Sequence, residues 1–144
     1  MKKHALSAAF AALALAAPLH AALSTPAAAQ SNQSAVNLTG AWRGVYAGDG
    51  NANTEFTATM SSLGSRLSGA MVEPNTFGSG DVAFLLSTIT GQIDGSSVVF
   101  LKTYDGSGGQ SHTVRYEGRI SANGRRIAGT WTTGGVSGPF EMVR

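Results

Sequence analysis

In the stretch VVFLKTYDG, residues 98–106, Lys102 falls in step with Phe100 and Tyr104. Successive side chains of a strand point to opposite faces, so whatever buries the phenyl ring buries the ammonium. An unpaired charge in a dry interior costs several kcal/mol even after relaxation, and a buried lysine therefore needs a carboxylate, several acceptors or water. Glu73, in step with Leu67 and Met71, is the only carboxylate with inward parity, and Tyr46, Tyr104, Tyr116 and His112 share that face. Such a set can hold a polar group inside an apolar space, with Lys102 orienting an anionic or carbonyl function. Glu73 with Lys102 reads as a structural ion pair before it reads as an acid/base pair. A one-residue bulge in Val98-Val99-Phe100-Leu101, apolar on both parities, would instead turn Lys102 outward and bring Leu101 in.

Catalysis has little to draw on. His112 is the only histidine beyond residue 29, no nucleophile elbow is present, and cysteine is absent from the whole chain. A nucleophilic triad, a thiolate metal site and a disulfide framework are thereby excluded, and no cofactor or metal is expected. The glycine-rich GSGGQ, residues 106–110, joins two strands and is not the strand-to-helix loop that cradles phosphates.

The elements that must position these side chains are strands. All 19 glycines lie after residue 29, and turn signals such as Asp94-Gly95, Asn123-Gly124 and Gly134-Gly135 cut the chain into short runs without helical periodicity. The runs predict eight strands, at about 38–47, 54–62, 65–73, 84–94, 97–104, 111–121, 125–133 and 137–143. One face of each is apolar: Trp42 and Tyr46; Phe56, Ala58 and Met60; Leu67 and Met71; Leu85, Ile89 and Ile93; Val98 and Phe100; Val114, Tyr116 and Ile120; Ile127 and Trp131; Phe140 and Met142. A single apolar face on hairpin-linked strands is buried best by closure, which also removes the edges. The expected fold is all-β, an eight-stranded antiparallel up-and-down β-barrel, with a β-sandwich as the alternative. Inward glycines, as in Gly40-x-Trp42-x-Gly44 and Ile127-x-Gly129-x-Trp131, let such strands coil.

Residues 1–29 have the layout of a signal peptide: Met1-Lys2-Lys3-His4, an apolar run, and Ala27-Ala28-Ala29. Residues 30–37 read as a flexible lead-in and 38–144 as the barrel domain. The expected location is the periplasm or the secreted space. Of the ten Lys+Arg, Lys2 and Lys3 belong to the leader, leaving eight against eight Asp+Glu. A neutral domain lacks the clustered cations that nucleic acid binding requires. The outward residues Thr57, Thr59, Arg115, Glu117, Arg119 and Thr130 cannot form a lipid-facing apolar band, so membrane insertion is not expected either.

At Gly40-Ala41-Trp42 the sequence resembles the calycin group, the barrels that include lipocalins, fatty-acid-binding proteins and avidins. The resemblance implies that this tryptophan closes one end of the barrel against a basic residue near the last strand, a part open to Arg144 or Arg126. The T-D-Y-type motif of lipocalins is missing, and two tryptophans do not complete the set of a biotin pocket. Phe100-x-Lys102-x-Tyr104, Tyr116-x-Gly118 and Gly129-x-Trp131 resemble small bacterial calycin-like domains more closely.

The expected function is an exported, non-enzymatic barrel that holds a small, partly apolar molecule inside. Its site comprises Glu73, Lys102, Tyr104 and Tyr116, with Trp42 or Trp131 as an apolar floor. The alternative is a protein-interaction or inhibitor module that meets its partner through loops 74–83 and 105–110.

Overall fold

A computed structural model of the protein describes residues 36–48 and 52–144; the leader assigned to 1–29 lies outside the described residues, as do 30–35. Eight strands form: β1 Gly40–Ala47, β2 Asn53–Leu63, β3 Arg66–Pro74, β4 Phe84–Asp94, β5 Ser97–Tyr104, β6 Thr113–Ile120, β7 Arg126–Thr133 and β8 Val136–Val143. Each pairs antiparallel with the next in sequence, and β8 returns to β1, so the sheet is a closed up-and-down barrel and not a sandwich.

The inward parity read from the sequence is the parity that is buried, from Trp42 in β1 to Met142 in β8. No bulge interrupts β5: Val98 stands opposite Gly118, Phe100 opposite Tyr116 and Lys102 opposite Val114, and it is Leu101 that faces outward. Gly118 and Gly129 face each other across β6 and β7. A Cβ at Gly129 would collide with the Glu117 carbonyl oxygen, so the two strands approach at a distance only glycine allows.

One end of the barrel is plugged. Trp42 is buried and donates its indole N–H to the Leu38 carbonyl, 2.9 Å away. The Arg144 guanidinium lies 5.0 Å above the Trp42 ring and donates to the carbonyls of Gly124, Thr39 and Asn37. Arg126, the other basic residue considered for this position, is exposed and forms a two-pronged pair with Glu141 on the outside.

The same contacts correct two boundaries. Leu38 and Thr39, expected in the first strand, precede β1, and Val36 and Asn37, expected in the flexible lead-in, are tied to the barrel. Val36 packs on the core, while the Asn37 side chain accepts from the Thr39 N–H and the Ser62 hydroxyl. An asparagine before an extended run supplies its own local turn, a signal that composition does not carry.

Above the plug, an aromatic layer fills the middle. Phe100 and Tyr116 stack with ring centres 4.8 Å apart and 6° between planes, and Phe140 meets both edge-on.

Candidate functional site

The opposite end is the mouth, where β1, β3, β5 and β7 finish and β2, β4, β6 and β8 begin. A cavity of about 500 Å³ opens there, lined by Tyr46, Lys102, Tyr104, Tyr116 and Trp131 on the strands and by Phe77 and His112 from the loops.

Glu73 ends β3, and Lys102 and Tyr104 end β5, with β4 between them. Lys102 Nζ donates to Glu73 Oε2 at 2.5 Å and to Tyr104 Oη at 2.7 Å. Tyr104 Oη in turn donates to Glu73 Oε1, which closes a three-membered ring of charge-assisted hydrogen bonds. Tyr46 Oη donates to the same carboxylate oxygen at 3.4 Å. The ammonium also lies 4.2 Å from the Tyr104 ring centre and 5.4 Å from that of Tyr46. Lys102 and Glu73 are each only 1% exposed, and among the described residues every fully enclosed side-chain nitrogen or oxygen has a partner.

Ser87 makes the bridge across β4 possible. It stands opposite Met71 on one side and Tyr104 on the other, and its small side chain, bonded to the Met71 carbonyl, leaves the space over β4 to the longer groups. Ser87 is not among the site residues expected from the sequence. Its signal was present, as a polar residue on the inward parity between Leu85 and Ile89.

Burial and the Glu73 carboxylate act together on the hydroxyls. Tyr46 is pushed up to about 12 by burial first and by the nearby negative charge second. Tyr104 and Tyr116 move upward for the same reasons, Tyr104 also through its hydrogen bond to Glu73. Burial lowers the Lys102 ammonium, with Glu73 opposing.

Of the residues expected to form the site, Glu73, Lys102 and Tyr104 are in mutual contact, and Tyr116 and Trp131 line the same cavity. Trp42 is not among its walls; it belongs to the plug at the other end. The pairing of β1 with β8 ends at Tyr46 opposite Phe140, which leaves Ala47 beyond that ladder. The Ala47 carbonyl accepts instead from the Trp131 indole, at 2.9 Å.

Two loops frame the opening. Within residues 75–83, the Asn75 side chain accepts from the Gly78 N–H and donates to the Val82 carbonyl. Ser79 then ties this loop to residues 105–112 by donating its backbone N–H to the Gly108 carbonyl at 2.7 Å. Phe77, half exposed, presents its edge to the Tyr104 ring at 6.0 Å. His112 is exposed at the rim with its ring 4.7 Å from that of Tyr104.

Compared with protein-family models, curated proteins and solved structures, the chain matches none. The chemistry of the mouth is therefore read from its own side chains.

Proposed function

We propose that the protein is an exported, calycin-like barrel that holds a small, partly apolar molecule in the mouth cavity and catalyses no reaction. The observation that carries this reading is the unequal filling of the interior. The plug and the aromatic layer are closed, whereas the mouth retains about 500 Å³, within the range of about 300–1,000 Å³ usual for ligand pockets. The walls combine aromatic rings with a few convergent polar groups, as ligand sites do. Lys102, Glu73 and Tyr104 are bonded to one another in a closed ring, which suits a fixed wall better than a proton-transfer device. The Gly40-x-Trp42 start of β1 and the Arg144 cover on Trp42 support the calycin-like relationship. The leader-like residues 1–29 support export to the periplasm or beyond.

Native mass spectrometry of the full chain, purified from the compartment in which it accumulates, tests the proposal. A discrete added mass that disappears on denaturation is expected. Protein of bare sequence mass, obtained without detergent or organic solvent, would contradict it.

A second reading, a module that binds another protein, draws on the outer surface. A groove of about 660 Å³ crosses the outside of β8, β1, β2, β3 and β4, floored by Val45, Val72, Pro74, Phe84 and Val143. Phe84 begins β4 directly after the 75–83 loop, so a partner seated on that loop would also cover the groove. Co-purification of a stoichiometric protein, lost on Phe84→Asp, would favour this reading.

A further inference from the structure

Tyr116 is the least exposed hydroxyl-bearing wall of the cavity, and yet its hydroxyl has no bond to another side chain or to the backbone among the described residues. Its side chain is 1% exposed, its ring is stacked on Phe100, and the edge of Phe140 stops it from the other side. Among the described residues its hydroxyl has no hydrogen-bond partner, although every fully enclosed side-chain nitrogen or oxygen has one. Oη must therefore reach open space, and the cavity that Tyr116 lines is that space. A fixed donor aimed into an aromatic pocket selects for an acceptor at one point of the ligand, because a ligand without one would leave that donor dehydrated and unpaired.

The charges around it restrict that acceptor. Lys102 is the one lysine, arginine or carboxylate among the described walls of the cavity, and its ammonium already bonds Glu73 and Tyr104. An anionic ligand would compete with the Glu73 carboxylate for that ammonium. It would also have to pass Asp81 and Asp105, since the described residues of the mouth loops include no lysine or arginine. A cationic ligand would meet the Lys102 ammonium, and the described walls include no aspartate or glutamate to receive it. Tyr46, Phe77, Tyr104 and Trp131 offer ring faces and edges, which favour flat, apolar groups.

Resting on the reading of the mouth as a ligand site, we propose that its ligand is an uncharged, flat, apolar molecule with a carbonyl-type acceptor, and that the Tyr116 hydroxyl anchors that acceptor. Tyr116 is then the residue that sets specificity, and the Glu73–Lys102 pair keeps the cavity neutral.

Three probes that differ at one point test this: benzophenone, diphenylmethane, which lacks the carbonyl, and para-benzoylbenzoate, which adds a carboxylate. Calorimetric titration of the full chain should show benzophenone binding at least about fivefold more tightly than either of the others, the worth of one net hydrogen bond. Tyr116→Phe, which keeps the stacked ring, should abolish the preference over diphenylmethane and leave diphenylmethane binding unchanged. Equal binding of benzophenone and diphenylmethane by the unaltered protein, or tighter binding of the carboxylate, would overturn the inference while leaving the ligand site in place. Absence of binding by all three would overturn both. The comparison of probes on the unaltered protein stands even if Tyr116→Phe fails to fold.

Discussion

Lys102 and Glu73 meet at 2.5 Å across the inside of the barrel, on strands that are not neighbours, each almost fully shielded from water. Removing one partner of a buried pair leaves an uncompensated charge, typically at about 3–5 kcal/mol, whereas replacing both by apolar groups is often neutral. Glu73→Gln should therefore destabilise strongly, and Lys102→Met with Glu73→Gln less than Glu73→Gln alone. Urea unfolding of the four members of the cycle measures the coupling, which should exceed the roughly 0.2–1 kcal/mol of exposed pairs. Additive, near-neutral single variants would contradict an internal pair.

The chain has three tyrosines, and all three belong to the barrel interior with raised pKa values. A folded pKa above the unfolded 10.0 contributes stability that is complete below pH 10 and declines as pH rises toward and through the folded value, about 12 for Tyr46. Lys102 acts oppositely: lowered from 10.5, it makes stability rise with pH between its folded pKa and 10.5, and it adds no further change above. Stability should accordingly fall steeply above about pH 10.5, and tyrosinate absorbance should appear together with loss of far-ultraviolet circular dichroism. A tyrosine that ionises near pH 10 in folded protein would contradict the burial described.

Trp42 and Arg144 should behave as one plug. Trp42→Ala is expected to cost about 3–5 kcal/mol, the usual range for a buried aromatic. Arg144→Met should cost less, about 1–2 kcal/mol for lost hydrogen bonds and the cation–π contact. Hydrogen exchange at Leu38, whose N–H bonds the Ser62 hydroxyl, should accelerate in both variants. Unchanged exchange in Arg144→Met would show that the guanidinium does not hold residues 36–39.

Gly129 and Gly118 differ in what a methyl group would meet. At Gly129 it meets backbone of β6; at Gly118 it meets side-chain atoms of Ile127 and Phe140 at 2.9 and 3.0 Å, which can shift. Gly129→Ala should thus cost more than Gly118→Ala, with overpacking of about 1–3 kcal/mol. Chemical denaturation that ranks the two in reverse would contradict the close approach of β6 and β7.

Strand parity was legible because the registers run without bulges, so alternation in sequence maps directly onto inside and outside. That is why alternation alone sets Lys102, Glu73 and Tyr104 on one face, where they meet. Depth along the barrel was not legible. Parity assigns Trp42 and Trp131 to the same face, but only closure and stagger place Trp42 in the plug and Trp131 at the mouth. The Asn37 and Asn75 turns and the Ser79–Gly108 clasp depend on single hydrogen bonds between loops, which leave no periodic trace.

With only two tryptophans, one at each end of the barrel, the indole N–H resonances report separately on plug and mouth. Titration of isotope-labelled protein with benzophenone, followed by heteronuclear NMR, tests the ligand site most directly. The Trp131 indole resonance should shift progressively to saturation while that of Trp42 stays in place. Movement confined to Trp42, or no movement of either at saturating probe, would contradict a ligand site at the mouth.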